Sequence, residues 1–404
     1  MLARSLILLS CCLLLTTVHS QTIYFQGCDN AYTLNGGTTY VESPFYPQNY
    51  PAGTSCRYRF TAPLDHYIKA ECSISIYKNG NQCSTDNFWI DAEGDLLMRN
   101  AENFCGTGTF TRESLFTELT MAYISNNRNN GRFRCVLTVV PQNCNCGWGV
   151  STRIVNGAAA ANNEYPSMVA LKDTTNSNLR SFCGGVIVSH RHVLTAAHCT
   201  YQVNSPTNIV AIAGTNNLQD PTSSMYYATY AIQQIIRHES YQNEPNVVND
   251  IALLITARTI KWTRGVGPIC LPPPGTSNSF AYDTVDVIGF GTTSTGGRPS
   301  TTLQKVNLMV VNNNDCQTEY QGSATINSGQ MCTYDYSGNS RDSCQYDSGG
   351  PAIARKSRQF LLGIISFGKT CAASPYAMGV NTRVTTYVAW IRQKIGNANC
   401  VVAM

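Results

Sequence analysis

Apolar and polar positions alternate in short runs along most of the chain. From residue 28 to 140 the runs CRYRFTA, HYIKAECSISIY, FWIDA and RFRCVLTVV are separated by Gly, Asn and Pro turns. Alternation with period two places successive side chains on opposite faces of a strand. The pattern therefore predicts a small antiparallel β-sandwich over residues 28–140. Residues 154–396 again break into short strands, such as SMVALK, GGVIVS, HVLTAA, DVIGFG and FLLGIISFG. One segment has a helical period. In VTTYVAWIRQKIG, the residues Val384, Val388, Trp390, Ile391 and Ile395 approximate a 3.6-residue stripe. Between the halves, PQNCNCGWGVST is short, polar and cysteine-bearing, so residues 141–153 read as a pinned linker. Residues 397–404 remain as a tail.

The first twenty residues follow a different rule. Arg4 precedes an apolar stretch that ends in V-H-S. This predicts a secretory signal peptide over residues 1–20, with cleavage near Ser20. The apolar run is too short to span a bilayer comfortably, so the expectation is a secreted, extracellular protein without a membrane partner. The length of 404 residues exceeds one ordinary core and fits two domains. A net charge of +4 without charge runs excludes a nucleic-acid arm or a disordered tail. Of 18 cysteines, Cys11 and Cys12 leave with the signal. The even remainder predicts up to eight disulfides in an oxidising compartment. Cys144-Asn145-Cys146 lacks metal-ligand spacing, so no metal and no cofactor are expected.

The candidate chemistry lies in DSCQYDSGGP at 342–351. A serine hydroxyl is a poor nucleophile at neutral pH. It needs a neutral histidine to take its proton and a buried carboxylate to orient the imidazole. His198 lies in LTAAHC, among small residues and beside a cysteine. Asp250 lies in NDIALL, directly before an apolar run that would bury it. Either residue alone would read as structural. The order His198, Asp250, Ser348 in one chain points instead to nucleophilic catalysis.

These segments, with RIVNG at 153–157, resemble the trypsin-like serine proteases of the chymotrypsin fold. The resemblance covers residues 154–396 and implies two packed six-stranded β-barrels. It implies His198 as general base and acid, Asp250 as its orienting carboxylate and Ser348 as the acylating nucleophile. The backbone amides of Tyr346 and Ser348 would form the oxyanion hole. Cleavage after Arg153 would free the Ile154 amine to pair with Asp347, making the chain a zymogen with a separate activating protease. Asp342 would sit at the floor of the primary pocket and pair with substrate Arg or Lys. Gly368 and Gly379 would be its wall. The chain departs from the family at Tyr346, where glycine is usual, and at Phe367, Met378 and Asn381. GFG at 289–291 replaces the common GWG. The implied disulfides are Cys183–Cys199, Cys316–Cys332 and Cys344–Cys371. Cys270 would pair with Cys144 or Cys146, leaving the other to Cys400.

Residues 28–140 resemble a CUB domain through ESPFYPQNYPAGTSCRYRFTAP and the cysteine pairs Cys28–Cys56 and Cys83–Cys105, with Cys72–Cys135 as an addition. The resemblance implies a protein-binding module. Asp86 matches one calcium-binding acid of that family, but Lys78 or its neighbours, and SNN at 125–127, stand where two others are expected. One carboxylate is too few for a hard cation wanting 6–8 oxygens. The fold expectation is thus all-β: an N-terminal CUB sandwich, then a chymotrypsin-like double barrel with a C-terminal helix. The arrangement resembles arthropod CUB-serine proteases, including those of venom and saliva. The expected activity is endopeptidase cleavage after Arg or Lys in protein or peptide substrates. The rival expectation is a catalytically silent homologue that binds through its CUB domain. Tyr346 favours the rival and the complete triad opposes it.

Overall fold

The computed structural model describes residues 21–23, 29–80, 82–126, 128–142, 145–150, 158–175, 181–201, 203, 205–244, 246–273, 280–292, 297–337, 347–369 and 378–396. The chain divides into two compact units, Met1–Gln142 and Asn143–Met404. Among the described residues, no helix is long and apolar enough to cross a membrane.

The first unit is a sandwich of two five-stranded sheets. One has the spatial order Gln21–Ile23, Thr38–Glu42, Gly131–Pro141, His66–Ile76, Gly106–Glu113. The other runs Asp29–Thr33, Ser55–Thr61, Glu118–Ile124, Asn87–Asp91, Glu102–Phe104. Burial alternates along Ser55–Thr61, as its sequence period requires. The inward positions Tyr58, Phe60, Ile68, Phe88, Leu119 and Phe133 form the core. The sandwich is not wholly antiparallel. Gln21–Ile23 pairs parallel with Thr38–Glu42, and Asp29–Thr33 pairs parallel with Ser55–Thr61. The first four strands alternate between the sheets, so each returns to its own sheet in the same direction; period-two patterning carries no information on direction. Disulfides Cys72–Cys135 and Cys83–Cys105 brace this unit, the former joining register partners on adjacent strands.

The second unit holds two closed barrels. The first runs Met168–Asp173, Cys183–Ser189, His192–Thr195, Ala252–Thr256, Ala228–Arg237, Ile209–Ala213. The second runs Gln304–Val311, Thr284–Gly289, Pro351–Arg355, Gln359–Gly368, Met378–Arg383, Gln330–Tyr334 and back to its first strand, with Ala158–Ala159 appended. Cys183–Ser189 is buried throughout, which explains its continuous apolar sequence. The segment 145–150 is packed into this unit. Cys146 bonds to Cys270, and the amide of Gly147 donates to the Pro268 carbonyl at 2.8 Å. Gly147 has φ +68, and a Cβ there would lie 2.4 Å from the Gln359 carbonyl oxygen, so only glycine fits.

Three α-helices occur among the described residues: α1, His198–Tyr201; α2, Asn313–Glu319; and α3, Val384–Ile395. In α3, Val384, Val388, Ile391 and Ile395 are buried. Trp390 lies at the edge of the stripe, and its indole N–H donates to Glu239 Oε2 at 2.8 Å. Neither α1 nor α2 is long enough to show a 3.6-residue period. Asn312 caps α2 by accepting from the Asn314 amide, and Cys316–Cys332 fixes the helix to a barrel strand.

Candidate active site

His198 enters the site from the end of strand His192–Thr195, through the buried Ala196 and Ala197. The disulfide Cys183–Cys199 fixes the next residue to the neighbouring strand. Asp250 precedes strand Ala252–Thr256 and is 2% exposed. The two strands are antiparallel neighbours, with Thr195 opposite Ala252, so their adjoining ends bring His198 and Asp250 together.

The Asp250 carboxylate grips His198 at two points. Oδ2 lies 2.8 Å from the imidazole Nδ1, and Oδ1 accepts from the His198 backbone N–H at 2.9 Å. Oδ2 also accepts from Ser366 Oγ at 2.5 Å, and the Asp250 carbonyl accepts from Thr382 Oγ1 at 2.7 Å. Burial pushes the Asp250 pKa up. The hydrogen bonds and charge of His198, with the Ser366 hydroxyl, outweigh burial and hold the carboxyl below its ordinary value. Nδ1 thus faces a carboxylate, which in the neutral ring leaves the Nε2 lone pair free to accept a proton.

Ser348 sits in a turn wedged between the barrels. Gly184 of the first barrel donates its amide to the Ser348 carbonyl at 2.8 Å. Gly349, with φ +77, donates to the Ile365 carbonyl of the second barrel at 2.8 Å. A Cβ on Gly349 would lie 2.1 Å from Thr195 Oγ1, so this close approach requires glycine. Cys199 Sγ lies 3.8 Å from His198 Nε2 and 3.5 Å from the Ser348 carbonyl oxygen, which places serine and imidazole at one locus. Among the described residues, no hydrogen bond of 3.5 Å or less joins the Ser348 hydroxyl to the ring. Such contacts commonly tighten only when substrate is bound. Cys183, His198 and Cys199 offer atoms close enough for a metal. Both sulfurs are committed to the disulfide, so the cluster offers no thiolate ligand.

Asp347 points into a cradle formed by Gly289 and Gly291. Gly291 donates its amide to Asp347 Oδ1 at 2.7 Å. Across the cleft, Gly368 and Gly379 are register partners on adjacent strands. Near them, the Phe367 ring meets Tyr320 edge-on at 5.9 Å, and Tyr320 Oη donates to the Met378 carbonyl. Asn381 is buried; its Nδ2 reaches the Met331 carbonyl and Thr333 Oγ1, both at 3.2 Å. Arg153, Ile154, Asp342 and Tyr346 lie outside the described residues, as do Cys28, Cys144, Cys344, Cys371 and Cys400.

Sequence reading missed Ser366, Thr382, Asn249 and Tyr387. Asn249 has φ +53, and its side chain bonds both to the Ser240 carbonyl, at 2.7 Å, and to Tyr387 Oη of α3, at 2.9 Å. Ser366 is 116 residues from Asp250 in the chain, so no local signal links them.

The first unit does not fit a calcium ion at Asp86. Asp86 is fully buried, and its Oδ1 accepts from the Asn126 amide at 2.6 Å. Among the described residues, its Oδ2 has no hydrogen-bond partner. Asn126 Oδ1 is taken by the amides of Arg128 and Asn129. A single carboxylate and a committed amide oxygen fall short of a calcium shell.

Comparison with known proteins agrees with this architecture. A family model described as Trypsin matches residues 154–391, and one described as CUB domain matches residues 28–133. Venom serine protease 34 of Apis mellifera is 33% identical over 392 residues, covering 93% of this chain and 90% of that protein. A venom serine protease of Polistes dominula is 35% identical over 64% of this chain and 91% of its own length. The solved structure of neuropsin, a serine protease expressed in mouse brain, superposes with a TM-score of 0.51 at 27% identity. It covers 60% of this chain and all of neuropsin. The paired barrels, the His198–Asp250 contact at their junction and these matches lead to one conclusion: the chain belongs to the trypsin family of serine endopeptidases and carries a CUB domain ahead of its protease domain.

Proposed function

We propose that the chain is the secreted zymogen of an endopeptidase that cleaves after Arg or Lys, with His198, Asp250 and Ser348 as its catalytic triad. The single observation that carries this reading is the two-point grip of Asp250 on His198 beside the Ser348 turn. Ser348 Oγ attacks the substrate carbonyl carbon while its proton passes to His198 Nε2. The tetrahedral oxyanion is held by the amides of Tyr346 and Ser348, each donor contributing about 3 kcal/mol. Collapse breaks the C–N bond, and His198 returns the proton to the leaving amine. Water then repeats the sequence on the acyl-enzyme.

Activation follows a cut between Arg153 and Ile154. The freed Ile154 amine pairs with Asp347, whose carboxylate is already turned toward Gly289 and Gly291. The new ammonium adds an ion pair to that carboxylate, so the cut completes the site. Cys146–Cys270 keeps the leader attached afterwards. Asp342 pairs with the substrate cation, and Gly368 and Gly379 leave room for its stem. The likeness to venom serine proteases of Apis and Polistes supports a secreted setting.

The test is direct. The chain is treated briefly with trypsin, the cut at Arg153 is verified, and an arginyl chromogenic peptide is added with and without a serine-directed covalent inhibitor. Inhibitable turnover is expected. No turnover after a verified cut returns the reading to a silent binding homologue. Asp342→Ser is expected to abolish preference for basic residues while inhibitor labelling of Ser348 persists.

A further inference from the structure

The strand pair that brings His198 and Asp250 together carries cations at its other end. Arg191 directly precedes His192–Thr195, and Arg258 follows Ala252–Thr256. With His192 opposite Ile255 and Thr195 opposite Ala252, both arginines lie a strand length from the triad. At about 3.3 Å per residue that is roughly 15 Å. The guanidiniums are held in place by neutral groups. Arg191 donates to the Thr256 carbonyl at 2.7 Å and to Gln233 Oε1 at 3.1 Å. Arg258 donates to the Thr229 carbonyl at 2.7 Å and lies 4.5 Å over the Tyr230 ring. The Lys261 backbone N–H bonds to the Tyr230 hydroxyl, and Lys261 is exposed.

Acids are missing from the sequence that builds this end. No Asp or Glu occurs at 174–219, 221–238 or 251–282. Among the described residues, neither Arg191 nor Arg258 forms an ion pair. From Asn143 onward the chain has 18 Lys and Arg against 13 Asp and Glu. Arg191 and Arg258 therefore present fixed positive charge bonded only to neutral groups, which suits a polyanion.

The other side chains select among polyanions. Trp262 is stacked on His190 at 3.9 Å, and Tyr230 is covered by Arg258. The rings beside the cations are thus already engaged, whereas single-strand binders stack bases on free aromatic faces. Among the described residues of 226–281 no large apolar side chain is exposed, and the flanking Met225 and Tyr282 are too few to enter a bilayer. A sulfated polysaccharide brings only charge and hydroxyls, and it asks for neither feature. We propose that Arg191, Arg258 and Lys261 form an exosite for a sulfated polysaccharide, placed so that docking leaves the catalytic cleft open.

The full chain is passed over immobilised heparin across a NaCl series, with peptide hydrolysis measured in parallel after activation. The wild-type chain binds, and Arg191→Gln with Arg258→Gln weakens binding at least tenfold. The slope of log affinity against log salt becomes shallower by about two, one per cation lost. Peptide hydrolysis by the double variant stays at the wild-type rate, which also shows that it folds. Lys261→Gln, a change of an exposed side chain, weakens binding on its own, and Arg258→Lys keeps most of it. Absence of wild-type binding, or wild-type affinity in the double variant, overturns the proposal. Equal affinity for duplex DNA at the same salt overturns the assignment to a glycan.

Discussion

Ser366 Oγ lies 2.5 Å from Asp250 Oδ2, the oxygen that also holds the His198 imidazole at 2.8 Å. The second barrel thus supplies a donor to a carboxylate that belongs to the first. A hydrogen bond to a buried charged group contributes about 1.5–3 kcal/mol. Ser366→Ala is expected to lower kcat by about tenfold or more through loss of this bond, with KM nearly unchanged. Steady-state kinetics on an arginyl peptide decide it. A kcat equal to wild type removes Ser366 from the positioning set.

The same bond sets a pH dependence. Asp250 titrates below its ordinary 3.8 in the folded chain because His198 and Ser366 outweigh the cost of burial. The unfolded chain binds that proton more readily. Asp250 therefore contributes stability that is fully present above the unfolded pKa and is lost as pH falls through the lower folded value. Ser366→Ala raises the folded value and shrinks this contribution. Its acid-unfolding midpoint is expected at higher pH than wild type, as followed by circular dichroism. Coincident midpoints would show that the hydroxyl does not stabilise the ionised form.

Gly289 and Gly291 constrain Asp347 sterically. A Cβ on Gly289 would lie 2.0 Å from Asp347 Oδ1, and one on Gly291 would lie 2.4 Å from its Cγ. Either contact must move the carboxylate. Gly289→Ala is expected to fold and to be cut at Arg153, yet to show about a hundredfold or lower activity, since the oxyanion amides depend on that turn. Gly108→Ala, where an added Cβ meets nothing within 4 Å, is the control. Full activity in Gly289→Ala would separate Asp347 from activation.

Helix α3 reaches the catalytic loop through Tyr387, whose Oη donates to Asn249 Oδ1 at 2.9 Å, next to Asp250. Asn249 holds a left-handed backbone at φ +53. Tyr387→Phe removes one hydrogen bond, about 1 kcal/mol. Part of that loss should appear as a several-fold lower kcat with KM held. A change in thermal stability alone, with normal kcat, would make Tyr387 structural only.

How much of this was legible in the sequence depends on the length scale of each signal. The helical stripe of α3 and the period-two strand Ser55–Thr61 carry their own patterns. His198, Asp250 and Ser348 stand in recognisable local contexts. Ser366 and Thr382 do not, because their contacts with Asp250 form only when the barrels close on each other. Helix α2 was invisible for a different reason: seven residues with one buried side chain show no period, and a cap and a disulfide define it instead. The parallel strand pairs of the first unit were missed because alternation marks faces, not direction.

Glu164 offers the sharpest test of stability in the second unit. Its side chain is fully buried and accepts from Lys305 Nζ at 2.8 and 2.9 Å and from Arg355 Nη2 at 2.5 Å. Arg355 Nε continues to Asp286, which also accepts from Tyr165 Oη and Asn307 Nδ2, both at 3.0 Å. Two acids and two bases thus balance inside the fold. Lys305→Met takes one of two cations from Glu164, which keeps Arg355 and the Ala161 amide at 2.8 Å, and breaking a buried pair costs about 3 kcal/mol. For a unit of this size that corresponds to a fall in Tm of about 10 °C. Adding Glu164→Gln removes the stranded charge, so the double variant is expected to regain part of the loss. Calorimetry in a Ser348→Ala background, which prevents self-digestion, measures both. A double variant no more stable than Lys305→Met would mean that the lysine stabilises by packing its stem, not by neutralising Glu164.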